Sequence, residues 1–80
     1  MNKLVITAYV LICTEVGKAF EVLDKVRKVK GVSEAYAITG EYDVIAKVEA
    51  ENLKDLGEKV VGEIHKIEGV TKTVTAIVVE

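Results

Sequence analysis

The 80-residue chain is poor in the residues that build metal sites, disulfides and aromatic binding platforms. It has one cysteine, one histidine, one methionine, no tryptophan and no proline, and 5% of its residues are aromatic. A single cysteine cannot form an internal disulfide, and with one histidine it cannot supply the ligands of a zinc site. These counts predict a chain of the reducing cytoplasm that holds no metal and no other cofactor.

Excess positive charge is also missing. The chain has 11 Lys and Arg residues against 13 Asp and Glu residues, and its net charge at pH 7 is −2. A surface that follows nucleic-acid phosphates needs clustered excess cation, so direct binding to nucleic acid is not expected. The basic residues Lys25, Arg27, Lys28 and Lys30 are interpreted as the last turn of a helix, where the helix dipole favours cations.

Apolar residues, in contrast, are abundant. They make up 50% of the chain, and the mean hydropathy is +0.29. So short a chain buries only part of this surface by itself, which predicts self-association. The longest apolar run, at residues 4–13, is shorter than the ~20 residues of a membrane span and lacks a signal-peptide cleavage site, so it is interpreted as a strand.

Apolar periodicity predicts the element order strand, helix, strand, strand, helix, strand. Thr14 is expected to cap the first helix and Gly31 to end it, while Asn52 or Glu51 opens the second helix and Gly69 stops it. The strands are expected at residues 3–12, 32–39, 43–49 and 70–79. The apolar stripes of the helices are expected at Val16, Ala19, Phe20, Leu23, Val26 and Val29, and at Leu53, Leu56, Val60, Ile64 and Ile67.

A short internal repeat divides the chain into two βαβ halves. The segment 28–32, Lys-Val-Lys-Gly-Val, returns as Lys-Ile-Glu-Gly-Val at 66–70, each time where a helix passes into a strand. Right-handed crossovers then give one α+β domain over residues 1–80 with the ferredoxin-like βαββαβ fold. Its antiparallel sheet is expected to have strand order 4-1-3-2, with both helices on one face.

This architecture leaves one face of the sheet without helices. The alternating residues singled out in the first and fourth strands carry no charge, so the uncovered face is predicted to pack on the sheet of a second copy, as a sheet-to-sheet dimer. The dimer face is expected to contain Val5, Thr7, Tyr9, Leu11, Thr73, Thr75 and Ile77. The residues expected to point towards the helices are Leu4, Ile6, Val10, Val74 and Val78.

No catalytic residue set is visible. His65 stands beside Glu63 and Lys66 on the polar side of a helix, and Cys13 has no histidine near it in sequence, so both are interpreted as structural or solvated residues. The chain is therefore not expected to be an enzyme.

The segment Thr39-Gly40-Glu41-Tyr42-Asp43 is the one candidate for ligand binding. Gly40 allows a left-handed backbone, and the polar groups around it can pair with the ammonium and carboxylate of a small zwitterion. The same residues are ordinary in a hairpin turn, which is the simpler interpretation on spacing alone.

The chain resembles the RAM domain, the effector-binding half of Lrp/AsnC transcription regulators. The resemblance is carried by Gly31-Val32, by Ala37 to Ile45 with its Thr-Gly-x-Tyr-Asp element, and by Ile67 to Thr75 with its Gly-Val-x-x-Thr-x-Thr element. It implies sheet-paired dimers that assemble into an octamer or similar ring. It also implies an amino-acid effector bound between dimers at Thr39, Gly40, Glu41, Tyr42 and Asp43.

The chain departs from the full-length regulators because its first strand follows Met1 at once, with no helix-turn-helix domain before it. It is similar in this to stand-alone RAM proteins, which implies amino-acid sensing or co-assembly with full-length Lrp/AsnC proteins. Two alternatives remain: a small enzyme of the dimeric α+β barrel type, and an ACT-like amino-acid-binding module. The RNA-recognition domain shares the element order, but residues 43–48 lack the aromatics that it needs.

Overall fold

The first strand forms where the apolar run predicts it. The computed structural model describes residues 5–80, and in it strand β1 spans Ile6–Thr14. Alternate β1 residues, Ala8, Val10 and Ile12, are fully buried. Residues 3 and 4 of the predicted strand, including the predicted inward residue Leu4, lie outside the described residues.

Helix α1 spans Ala19–Val26 and is shorter than predicted at both ends. The prediction that Thr14 caps it is wrong, because Thr14 is still in the sheet, opposite Val70. The chain turns at Gly17, whose φ is +81°, and the helix begins after Lys18. Val16 is accordingly fully exposed in that turn and is not part of an apolar stripe.

Gly31 does not end α1 directly, as predicted, because four residues separate it from Val26. Successive tight turns carry the chain from α1 into the next strand, with Val29 N–H donating to the Val26 carbonyl and Val32 N–H to the Val29 carbonyl. Gly31 has φ +103° in this connection, so its left-handed backbone is as predicted, although its position relative to the helix is not.

The two central strands form an antiparallel hairpin. Strand β2 spans Val32–Ala37 and strand β3 spans Val44–Ala50. A hydrogen bond from Ile38 N–H to the Asp43 carbonyl, 2.9 Å, closes the end of the hairpin. The predicted strand 32–39 is thus two residues too long, and residues 38–43 form the connection.

Helix α2 covers residues 53–65 and is not α-helical throughout. Its first and last turns, Leu53–Asp55 and Gly62–His65, are α-helical, and Leu56–Val61 between them is π-helical. The wide turn is closed by Gly62 N–H, which donates to the Gly57 carbonyl five residues earlier. The predicted cap is confirmed at Asn52, whose side chain accepts the Asp55 N–H at 2.8 Å.

The predicted stripe of α2 is correct in its centre and not at its ends. Leu56, Val60 and Ile64 are buried in the core, whereas Leu53 is 60% exposed. Ile67 lies beyond the last helical turn but is half-buried against the core.

The last strand, β4, spans Val70–Ile77, and the four strands form one sheet of order β2-β3-β1-β4. The predicted order and the antiparallel pairing are both confirmed. The core lies between the sheet and the two helices. It joins inward residues of β1 and β3 to the buried helix residues Val22, Leu23, Val26, Leu56, Val60 and Ile64.

The predicted faces of β4 are wrong over most of the strand, because a bulge changes its register. Cys13 pairs with Lys72 but Thr14 pairs with Val70, so Thr71 is an extra residue. One extra residue moves every later side chain to the opposite face of the sheet.

Beyond the bulge, Thr73, Thr75 and Ile77 lie on the helix side, while Val74 lies opposite Leu11 on the uncovered side. A contact of 3.5 Å between Thr73 Oγ1 and Nδ1 of His65 in α2 agrees with this assignment. We call the uncovered side the open face. Within the paired strands it comprises Thr7, Tyr9, Leu11, Cys13, Glu34, Tyr36, Ile45, Lys47, Glu49, Lys72, Val74 and Ala76.

Candidate functional site

The five predicted ligand-binding residues lie together in the connection between β2 and β3, at one end of the sheet. Thr39, Gly40 and Glu41 are exposed, and Tyr42 and Asp43 are half-buried. Gly40 has φ +117°, and a Cβ at this position would have no atom within 4 Å. Backbone groups beside Gly40 are therefore accessible to a small ligand.

Asp43 fastens the hairpin end to β1. Its Oδ2 accepts the Thr14 N–H at 2.8 Å, and its own N–H donates to the Ile12 carbonyl at 2.9 Å. We call this pair of bonds the Asp43 clasp. A carboxylate has about four lone-pair sites, so the clasp leaves acceptor capacity on Asp43 for a ligand ammonium.

A shallow depression of about 300 Å³ lies beside the clasp. Glu41 and Tyr42 line it together with Cys13 at the end of β1 and Lys72 at the start of β4. The Cys13 thiol donates to the Glu41 carbonyl at 3.5 Å, which joins the two sides. The depression is thus lined by one carboxylate residue, one lysine and one tyrosine.

The fold brings together part of the predicted set and adds residues that the sequence analysis did not select. Glu41 and Tyr42 line the depression, Asp43 forms its neighbouring clasp, and Thr39 and Gly40 form the exposed tip of the hairpin. Lys72 was missed because it comes from another strand, and its pairing with Cys13 depends on the bulge in β4. No local pattern signals that pairing.

The open face is the second candidate functional surface. Its centre is apolar, with Leu11, Ile45 and Val74 half-buried and Tyr9 38% exposed. At its β2 edge, the Tyr36 hydroxyl donates to Glu34 Oε1 at 2.7 Å. This hydrogen bond and the negative charge of Glu34 raise the pKa of Tyr36 above its usual value.

Residues 5–80 also bear on metal binding and on membrane insertion. No group of three or more His, Cys, Asp or Glu side chains in this range is arranged to hold a metal ion. Among the helices of the same range, none is long and apolar enough to cross a membrane.

Comparison with protein families identifies a match over nearly the whole chain. The family described as the Lrp/AsnC ligand binding domain matches residues 7–80. Among curated proteins, the HTH-type transcriptional regulator PF0250 of Pyrococcus furiosus is 35% identical over 74 residues, which are 89% of this chain and 49% of the regulator. The chain spans about half the length of the curated relatives it matches.

Solved structures of similar length also match. FFRP-DM1 is 40% identical with a TM-score of 0.85, and the match covers 92% of this chain and 99% of that one. The hypothetical protein PHS023 of Pyrococcus horikoshii is also 40% identical, with a TM-score of 0.83 and coverage of 94% and 90%. These proteins share the fold of this chain over almost their entire length.

Proposed function

Since this chain belongs to the Lrp/AsnC ligand-binding domain family, we propose that it is an amino-acid-sensing regulatory module that assembles with copies of itself. The family is one of regulatory ligand-binding domains and not of enzymes.

The observation that carries the proposal is the charge arrangement at the hairpin end. A free amino acid has one ammonium and one carboxylate about two bonds apart, so its site needs an anion and a set of cationic or N–H donors close together. Asp43 and Glu41 supply the anions, whereas Lys72 and the exposed backbone at Gly40 supply the donors. Tyr42 adds an amphipathic ring to the same depression.

Assembly is proposed to begin at the open face. Leu11, Ile45 and Val74 form an apolar strip there that would gain burial by packing on the same strip of a second copy. Dimers would then form a ring, with the hairpin end at the contact between dimers. In this form the protein would act in the cytoplasm, alone or in mixed assemblies with full-length Lrp/AsnC proteins.

The proposal is tested by a thermal-shift screen of the chain against the twenty amino acids. An effector at 100 times its dissociation constant stabilises the folded state by about 2.7 kcal/mol, which is readily measured. The matched variant is Asp43→Asn, because an amide oxygen can still accept the Thr14 N–H of the clasp while the negative charge is lost.

We expect Asp43→Asn and Lys72→Gln to lose the effector shift while melting near the parent temperature without effector. A Glu58→Gln variant, on the exposed side of α2, serves as the control and should respond as the parent does. If an effector binds Asp43→Asn and Lys72→Gln as tightly as it binds the parent, the hairpin end is an ordinary turn and not the effector site. A chain that responds to no amino acid would refute the proposed sensing function itself.

A further inference from the structure

A groove between the two helices is lined by most of the basic residues at positions 25–30, which have no part in the proposed function. It has a volume of about 450 Å³ and lies on the helix side of the sheet, away from the open face. Three of its lysines come from the segment that follows α1 and its last turn, and the fourth comes from the π-helical turn of α2. The four are Lys25, Lys28, Lys30 and Lys59.

Arg27, in the middle of the same run, is directed elsewhere. Its guanidinium donates to the Ala35 carbonyl of β2 through Nε at 3.1 Å and Nη2 at 2.8 Å. The basic run is therefore not one uniformly solvated helix end. The fold separates Arg27, which binds the sheet edge, from the lysines, which line the groove.

The lysines of the groove are largely without anionic partners. Among residues 5–80, Lys25, Lys28 and Lys30 form no ion pair, and Lys59 has a long one, 3.7 Å, to Asp55. Glu63 is the one acidic residue on the groove wall, and Lys66 already pairs with it at 3.2 Å. Four of the chain's 11 basic residues and one of its 13 acidic residues line the groove. The lining therefore has a formal charge of +3, whereas the remaining residues of the chain have a formal charge of −5.

The floor of the groove is apolar. Val29 and Ile67, both half-buried and packed against the core, are the apolar residues of its lining. Ammonium groups above an apolar floor fit a ligand that has several negative charges at one end and an apolar or ring portion at the other. A single carboxylate would neutralise only one of the three unpaired lysines, whereas a phosphate chain offers several anionic oxygens in a row.

We propose that this interhelical groove binds a small ligand that carries two or more phosphate groups, as a nucleoside diphosphate or triphosphate does. Duplex DNA fits less well, because a duplex contacts many phosphates over a wide surface. The rest of the chain carries −5, which repels a long polyanion. The site is separate from the hairpin end and does not depend on the proposed amino-acid site.

The probe is inorganic tripolyphosphate, titrated by calorimetry into the full chain at 50 mM and 200 mM salt. We expect binding that weakens at the higher salt, as screening of the lysines requires. Lys28→Gln and Lys59→Gln should each raise the dissociation constant about tenfold, since each removes one charge-assisted hydrogen bond. Lys18→Gln is the matched control, because Lys18 pairs with Glu21 outside the groove.

Amide chemical shifts locate the ligand independently of affinity. Tripolyphosphate and a nucleoside triphosphate should both shift the amides of Val29 and Ile67, and the nucleotide should bind more tightly because its base covers the apolar floor. Absence of binding at 50 mM salt, or equal weakening by Lys18→Gln and Lys28→Gln, would overturn the proposal. So would a short DNA duplex that binds as tightly as the nucleotide.

Discussion

At the scale of single residues, the structural role of Asp43 can be separated from its proposed role in binding. Its side chain accepts the half-buried Thr14 N–H at 2.8 Å, and its charge is proposed to bind the effector ammonium. Asp43→Ala leaves the Thr14 donor without a partner, which costs about 1–3 kcal/mol of unfolding free energy. Asp43→Asn keeps an acceptor and should cost less than about 1 kcal/mol.

Urea denaturation of the two Asp43 variants without effector measures this difference. Equal losses of stability in both variants would mean that the charge of Asp43, and not the clasp, supports the fold.

Two glycines with similar φ values are predicted to differ in their tolerance of a side chain. A Cβ on Gly31 would lie 2.7 Å from Val60 Cγ2 and 3.2 Å from the Glu49 carbonyl oxygen, whereas a Cβ on Gly40 would meet nothing within 4 Å. Both substitutions by alanine strain the backbone by roughly 1–3 kcal/mol. Gly31→Ala should lose a further 1–3 kcal/mol or so from overpacking against α2.

Thermal denaturation of Gly31→Ala and Gly40→Ala tests this directly. If Gly40→Ala is the less stable of the two variants, the close packing of α2 does not determine how well position 31 tolerates a side chain.

At the scale of elements, α2 depends on its cap because its interior is weakly bonded. The π-helical turn Leu56–Val61 contains Gly57 and is followed by Gly62, and glycine has a low helix propensity. Asn52→Ala removes the side-chain acceptor of the Asp55 N–H and should cost about 1 kcal/mol, with faster hydrogen exchange in residues 53–61 than in α1. Asn52→Asp retains an acceptor and should exchange like the parent.

The measurement is amide exchange followed by NMR on the three proteins. Equal exchange in Asn52→Ala and Asn52→Asp would show that tertiary packing, and not the cap, holds the first turn of α2.

At the scale of the whole molecule, the bulge in β4 decides which residues the proposed dimer uses. Val74 lies opposite Leu11 on the open face, so Leu11→Asp and Val74→Asp should each place a carboxylate in the dimer interface and dissociate it. Phe20→Asp, on α1 and 75% exposed, is the control and should keep the parent mass.

Light scattering at micromolar concentration gives the masses. If Val74→Asp keeps the parent mass while remaining folded, copies of the chain do not meet at the open face.

The sequence by itself determined the elements and their order. Its periodicities are local, so the buried alternation of β1, the hairpin, the Asn52 cap and the 4-1-3-2 sheet could all be predicted from spacing and connection rules. It also located the hairpin residues Thr39 to Asp43 as the candidate site. Its errors were in the ends of several elements, in the apolar stripes at Phe20 and Leu53, which are 75% and 60% exposed, and in the faces of β4.

Only the tertiary structure decided how distant segments meet. The bulge at Thr71 exchanges the faces of Thr73 and Val74 because it depends on pairing with β1, which no local pattern encodes. The Asp43 clasp joins residues 29 positions apart, and the interhelical groove joins Lys28 to Lys59. Such contacts arise from packing of the folded chain, so their residues look like ordinary turn and surface residues until the sheet and helices are in place.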